Sequence, residues 1–263
     1  MRTRVTEHAD TGQRTHEDRR ATEEPLEIRV AGNGLPAQRI WVTMRTPGHD
    51  FELAAGFAAN ESFISPGDIR QVAYCTDADL DPEQEFNVVT ITVAGAVDIA
   101  ARHAALSAGS SACGVCGKDS VASVLDVRAA EPWAGPIPSP DVVRSLPEAL
   151  RGKQPNYKRT GGVHAAALAD VDGRLLVVRE DVGRHNAVDK VIGARILAGE
   201  PRSEACLVVS GRAGFELVQK AVASGIGSLV SVGAPTSLSV RLATESGVAL
   251  FGFTDASRCV QYA

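Results

Sequence analysis

Apolar positions in this chain fall into register only from about residue 25 onward. Residues 1–22 are polar and show neither the 3.6-residue period of a helix nor the two-residue alternation of a strand. Arg2, Arg4, Arg14, Arg19 and Arg20 stand among Glu7, Asp10, Glu17 and Asp18, so the acids cancel the arginines. The stretch reads as a disordered leader rather than a basic arm. From Pro25, LEIRVAGNGLPAQRIWVTMRT predicts two strands, 26–30 and 39–44, around a Gly32-Asn33-Gly34 turn that supplies positive φ. TPGHDFELAAGFAANESFI then predicts a helix capped by Asp50, with Leu53, Phe57 and Ala58 on one face, and SPGD at 65–68 ends it. Two further strands are predicted at 69–74 and 86–93.

The stretch 104–117 is rich in Ala, Ser and Gly, has no period, and predicts a mobile loop. The proline-rich EPWAGPIPSP (131–140) marks a domain boundary, followed by a helix capped by Ser139 or Asp141 with Val142, Val143, Leu146 and Leu150 as its apolar stripe. From Thr160 strands alternate with helices. A hairpin turns at Asp172-Gly173, and then a β-α-β-α-β run has Val- and Leu-rich strands of the kind buried on both faces of a mostly parallel sheet. The expected organisation is a leader (1–22), a smaller α+β domain (23–130) ending in the loop, and an α/β domain (131–263).

Composition narrows the function classes. With 263 residues the chain holds one large domain or two small ones at roughly 100–200 residues each. Apolar residues at 44% and charged residues at 22% exclude a wholly disordered protein. A net charge of −5 argues against nucleic-acid binding through a general basic surface. No apolar run approaches the ~18 residues of a membrane span, and no apolar segment stands near residue 1, so the expectation is a cytoplasmic protein with no membrane partner. Five cysteines in a chain of this size argue against a disulfide framework.

Two of those cysteines, Cys113 and Cys116, form a C-x-x-C pair in SSACGVCGK. Such a pair can be half of a zinc site, a redox dithiol or a sulfur-carrying nucleophile. A structural zinc needs two more ligands, usually a second close pair, and none stands in the chain, so no metal is expected. Gly114 and Gly117 leave the backbone pliable and Lys118 is the nearest cation. His164 in TGGVHAAAL resembles the His of zinc deaminases, but Ala166 stands where their general acid/base Glu would be, and the dithiol precedes the His. A hydrogen-bonded core histidine and a functional one remain open readings. REDVGRHNAVDK gathers Arg179, Glu180, Asp181, Arg184, His185, Asn186, Asp189 and Lys190 at a strand-to-helix turn. Two more turns of that kind hold Ser210, Gly211, Arg212 and Gly214, then Gly233, Ala234, Pro235, Thr236 and Ser237. Three such turns on one sheet edge suit a phosphorylated ligand such as a nucleotide, since glycines and helix N-termini admit oxyanions.

SSACGVCGKDS, TGGVHAAAL, REDVGRHNAVDKVIG, SGRAGFELVQKA and GAPTSLSVRLA, in this order, resemble the formate dehydrogenase accessory protein family, FdhD, as do EEPLEIRV and MRTPGHDFELAAGF nearer the start. The resemblance covers about residues 23–262. It implies a cytosolic homodimeric sulfur carrier with a cytidine-deaminase-like three-layer C-terminal domain. Such a carrier takes persulfide sulfur from a cysteine desulfurase and passes it to the molybdenum cofactor in its bis-molybdopterin guanine dinucleotide form, for insertion into apo formate dehydrogenase. It further implies Cys113 as the persulfide carrier, Cys116 as a second thiol, and a cofactor-contacting stretch of Phe253, Thr254, Asp255, Ala256, Ser257 and Arg258, alongside His164, His185 and the glycine turns. The family usually has an arginine where this chain has Asp255, and Arg258 is the candidate replacement for that charge. The competing readings are a non-catalytic cofactor chaperone of the same enzyme and a deaminase-type zinc hydrolase.

Overall fold

The computed structural model describes residues 1–32, 34–76, 80–81, 84–95 and 129–263. Cys113, Cys116 and the predicted loop around them lie outside the described residues. The first departure from expectation comes at once. Where a disordered leader is predicted, β1 (Arg2–Ala9) and β2 (Gly12–Arg19) pair antiparallel. The charges that cancel along the sequence also pair across the strands: Arg4 stands opposite Glu17, and Glu7 opposite Arg14, with Arg14 and Glu7 2.8 Å apart. Opposite charges facing each other across a ladder stabilise it by up to about 1 kcal/mol per pair.

A four-stranded sheet follows, in the order β4 (Gln38–Arg45), β3 (Glu24–Gly32), β6 (Val88–Val93), β5 (Ile69–Tyr74). The predicted strands are present, with β3 and β6 parallel and the outer pairs antiparallel. Leu26, Ile28 and Val30 alternate inward and pack with Val89 and Ile91 against Leu53, Ala54, Phe57 and Ala58 of α1 (Asp50–Asn60). Asp50 is not the cap of that helix. His49 holds the position before it, in the left-handed region at φ 59°, and the Asp50 carboxylate accepts hydrogen bonds from Arg45 (2.8 and 3.1 Å) and the Tyr74 hydroxyl (3.0 Å). A buried arginine claims the carboxylate that would otherwise have capped the helix.

The second unit begins at α2 (Pro140–Gly152), whose Ser139 cap accepts from Val142 N at 3.4 Å. It continues through α3 (Pro155–Thr160), β7 (His164–Ala169), β8 (Leu175–Asp181), α4 (Arg184–Leu197), β9 (Cys206–Val209), α5 (Phe215–Ser224), β10 (Ser228–Ser231), α6 (Ser237–Ser246), β11 (Ala249–Gly252) and β12 (Val260–Gln261). The sheet order is β12-β11-β10-β9-β7-β8. It is parallel only across β9, β10 and β11, whereas β7 runs against both its neighbours and β12 against β11. The β-α-β-α-β run is thus parallel as expected, but the whole sheet is mixed: the Asp172-Gly173 hairpin makes β8 antiparallel to β7, and β7 and β12 also run against the parallel strands beside them. Side chains alternate cleanly through it. Leu168, Leu207, Val209, Leu229 and Leu250 face α4, α5 and α6, while Ala167, Cys206, Val208, Val230 and Phe251 face Val143, Leu146 and Leu150 of α2. Helices thus cover both faces, in three layers.

The two units meet where α1 crosses α4. A Cβ on Gly56 would stand 1.9 Å from Asp189 O, and one on Gly193 would stand 1.8 Å from Glu52 O, so the two backbones touch. Charged groups ring this contact. Arg179 on β8 donates two hydrogen bonds to Glu52 (2.5 and 2.6 Å), Asn60 donates to Asp189 (2.7 Å), and Lys220 on α5 lies 2.9 Å from Asp189 and 3.2 Å from Glu61. Burial would raise the Glu52 carboxyl, but Arg179 and His49 outweigh it and hold it at about 2.

Two predictions follow from this contact. Gly193→Ala is expected to destabilise the protein by about 3 kcal/mol in urea unfolding, since an added methyl meets backbone rather than a movable side chain. Gly152→Ala, with open space around it, is expected to be neutral or slightly stabilising; equal costs at both positions would refute the crossing. In addition, because folding depresses the Glu52 pKa, its contribution is whole above the ordinary 4.5 and lost as pH falls toward about 2. Glu52→Gln is expected to flatten the fall in stability over that window.

Candidate functional site

Strand directions bring the three predicted turns to one edge. The carboxyl ends of β9, β10 and β11, the end of β8 and the start of β7 all lie there, since His164 is paired with Asp181 and Ala166 with Val209. Backbone hydrogen bonds extend the sheet into the turns: Gly233 N donates to Gly211 O (3.0 Å), Phe253 N to Gly233 O (3.1 Å) and Thr236 N to Ala213 O (3.3 Å). Ser210 Oγ accepts from Ala165 N at 2.9 Å and lies 3.5 Å from His164 Nδ1. A Cβ on Gly233 would come within 2.9 Å of the Arg212 side chain, and one on Gly252 within 2.7 Å of Pro235, so both glycines are needed for the loops to stack. Gly252 is a requirement that the sequence reading missed.

Three helices begin at this edge, and they are not equivalent. The Gly183 and Gly214 positions preceding α4 and α5 carry no side-chain cap, which leaves backbone N–H groups facing the edge. By contrast α6 is closed by a capping box, in which Thr236 and Ser239 each bond the other's backbone N–H. Thr236, expected as a ligand contact, is therefore engaged in capping. His185, also expected there, has its Nε2 2.5 Å from Glu216 Oε2 on α5, a close contact without hydrogen-bond geometry, with both side chains largely buried. That carboxylate offsets positive potential at the middle of the edge. Arg184, which belonged to the polar cluster but was not singled out, has a buried Nε without a protein partner. Its signal in the sequence was its place at the head of a helix next to His185.

The last turn supplies a different surface. Phe253 is exposed and held at φ 48°, an unfavourable conformation for an aromatic residue, and the Arg258 guanidinium lies 5.5 Å from its ring centre. Asp255 is spent locally: it accepts from Ser257 N (2.7 Å), Ser257 Oγ (2.6 Å) and Arg258 N (3.1 Å). Those bonds, with the Ser257 hydroxyl first among them, lower its pKa. Thr254 is buried and bonds Ser231 O. Ala234 lies in the turn before α6, and Ala256 at the exposed tip of the last turn. Among the described residues no three His, Cys, Asp or Glu side chains converge as a metal site would require, and no helix is long and apolar enough to cross a membrane. Of the three described cysteines, Cys206 is fully buried, and burial pushes its thiol up to about 12.

The chain matches the FdhD/NarQ family over residues 21–263. It is 45% identical over 249 residues to the sulfur carrier protein FdhD of Streptomyces avermitilis, covering 91% of this chain and 85% of that one. It is likewise 45% identical to the proteins of that name from Nocardia farcinica (96% and 88% covered) and Mycobacterium tuberculosis (89% and 85%). A crystal structure described as a formate dehydrogenase accessory protein from Desulfotalea psychrophila superposes with a TM-score of 0.75 at 23% identity, over all of this chain and 96% of that one.

One titration tests the edge directly. Burial lowers the His164 pKa, and the Arg184 and His185 charges lower it further. The imidazole is expected to titrate below its ordinary 6.5 in NMR, and Arg184→Gln is expected to raise that value. Folding thus favours the neutral ring, so its contribution to stability is complete above 6.5 and is lost as pH falls. A His164 titrating at or above 6.5 in the unsubstituted protein would refute the geometry.

Proposed function

The chain belongs to the FdhD/NarQ family, and on that premise we propose that it is a sulfur carrier in the maturation of a formate dehydrogenase. It receives persulfide sulfur from a cysteine desulfurase and passes it to the molybdenum cofactor in its bis-molybdopterin guanine dinucleotide form, before insertion into the apo-enzyme. The observation that carries this reading is 45% identity, over most of both chains, to proteins named as sulfur carriers, in a sequence that has a Cys113-x-x-Cys116 pair. The proposal extends to a cytoplasmic homodimer in which the second unit has the cytidine-deaminase scaffold without its acid/base glutamate, Ala166 standing at that position.

The strand edge suits the cofactor as a bound substrate. Uncapped N-termini at Gly183 and Gly214, the unpartnered Arg184 Nε and the exposed Arg212 are the anion-binding groups, and Phe253 with Arg258 offers a face on which a guanine ring can stack. The described chain that follows the cysteines joins at the far end of α5, where Ala130 N donates to Val222 O. That helix is about 15 Å long at 1.5 Å per residue. The residues between Cys116 and Ala130, at up to about 3.5 Å each, span several times that length, so chain length does not prevent the thiols from reaching the edge.

The chemistry follows from thiolate exchange. The Cys113 thiolate attacks the outer sulfur of the desulfurase persulfide, forming Cys113–S–SH and releasing the desulfurase thiolate. The Cys116 thiolate then attacks the inner sulfur, forming a Cys113–Cys116 disulfide and expelling sulfide to the molybdenum. The electron pair for that step comes from Cys116, and an external dithiol restores both thiols.

After incubation with a cysteine desulfurase and cysteine, a mass gain of about 32 Da, one sulfur, is expected on the peptide holding Cys113 and Cys116. Cys113→Ala is expected to abolish it while leaving guanosine diphosphate binding intact in calorimetry. Arg212→Ala is expected to do the reverse, weakening the nucleotide about tenfold with loading unchanged. Normal loading of Cys113→Ala would refute Cys113 as the carrier thiol, and no mass gain on the unsubstituted protein would refute the carrier role and leave a non-catalytic cofactor chaperone.

A further inference from the structure

Arginines gather where the β1–β2 hairpin meets α3. A cavity of about 520 Å³ opens between them, and Arg2, Arg19 and Arg20 from the hairpin and Arg159 from α3 line it. A cavity of that size falls within the range of small-molecule sites, roughly 300–1,000 Å³, and exceeds the needs of a single phosphate. The carboxylate in its lining, Glu24, lies 3.5 Å from the buried Arg45. Arg2 has Glu17 at 3.4 Å, but Arg19, Arg20 and Arg159 have no carboxylate partner among the described residues. In a chain of net charge −5, this is a local reversal of sign.

The register of the hairpin is the independent observation. Its other charged pairs are of opposite sign, Arg4 with Glu17 and Glu7 with Arg14, whereas at the cavity Arg2 stands directly opposite Arg19. Like charges facing each other across a ladder destabilise it. A hairpin so matched elsewhere carries its one repulsive pair at the mouth of a cavity, and a bound anion turns that repulsion into attraction. Guanidinium forks bind phosphate oxygens two at a time, and four forks on two elements match a diphosphate better than a carboxylate. Asn156, Thr22 and Thr160 add uncharged hydrogen-bonding groups to the lining. The family match begins at residue 21, so the hairpin lies outside it.

We propose that the cavity between the β1–β2 hairpin and α3 binds a diphosphate-bearing small molecule, at a site separate from the strand edge and independent of the sulfur-carrier reading. Inorganic pyrophosphate is the probe, titrated calorimetrically into the full chain and followed by thermal unfolding. Binding is expected to weaken with salt. It is expected to fall about tenfold in Arg159→Gln, which leaves the hairpin's own pairing untouched, and as much in Arg19→Gln. Arg19→Gln removes the repulsive pair, so its melting temperature without ligand is expected to equal or exceed that of the unsubstituted protein, while the rise on adding pyrophosphate disappears. Arg174→Gln, at an exposed arginine paired with Asp170, is expected to change neither. The proposal is overturned if the arginine variants bind pyrophosphate normally, if Arg174→Gln loses as much, if only Arg212→Gln loses it, or if the chain responds to a single-stranded RNA and not to pyrophosphate.

Discussion

The crossing of α1 over α4 is the contact on which the arrangement of the two units depends. Gly56 and Gly193 let the helix backbones meet without intervening side chains, so carbonyl oxygens of each helix lie against Cα atoms of the other. Such an approach leaves no room for water, and each polar group around it must find a protein partner. Lys220 illustrates the requirement. Burial alone would lower its pKa, but Asp189 and Glu61 outweigh burial and raise it, so the ammonium stays charged inside the interface. Removing one partner of such a pair costs far more than the pair contributes over an apolar alternative. Loss of one member of the network is therefore costlier than loss of the whole pair.

From this contact the position of the candidate site follows. The N-terminus of α4 carries Arg184 and His185 to the strand edge, and the same turn is tied to the first unit on several sides. Asp181 accepts from Thr46 N (3.1 Å) and lies 2.7 Å from Lys190, whose ammonium also donates to Thr46 O (2.8 Å). Asn186 donates to Met44 O at 2.8 Å and Val182 N to Thr46 Oγ1 at 3.1 Å. The chain from β4 to α1 thus buttresses the helix start that faces the edge. A disturbance at the glycine crossing would reach Arg184 through one rigid helix, without any residue of the first unit touching a ligand.

How far all this could be read in the sequence depends on whether the signal was local. The alternation of Leu26, Ile28 and Val30, the Ser139 cap and the three glycine turns depend on neighbours in the chain, and each is where the pattern puts it. Gly56 and Gly193 are different. In a helix, a glycine reads as a propensity cost, and only the backbone of a distant helix explains it. The hairpin of residues 2–19 was missed for a related reason: charges counted along the chain cancel, while counted across two strands they pair. Asp50 was assigned to capping by its position but is held by Arg45 and Tyr74. Nothing local marks Glu216, which the fold sets against His185 from another helix.

The carboxylate of Glu216 also bears on what the edge can hold. A site that bound anions by charge alone would not keep a largely buried glutamate at its middle, 2.5 Å from one of its few cationic candidates. The contact with Glu216 turns His185 toward α5, and desolvation together with the neighbouring cations disfavours the charged form of His164. The positive groups left at the edge are Arg184, Arg212, Arg258 and the uncapped N–H groups of α4 and α5, spread over three turns. Cations spread over three turns contact a ligand at several separate points, which an extended molecule can span and a free phosphate cannot. The arginine cavity under the hairpin has the opposite arrangement, with its charges converging on one volume. The two sites therefore differ in the shape of anion they select, although both rest on arginine.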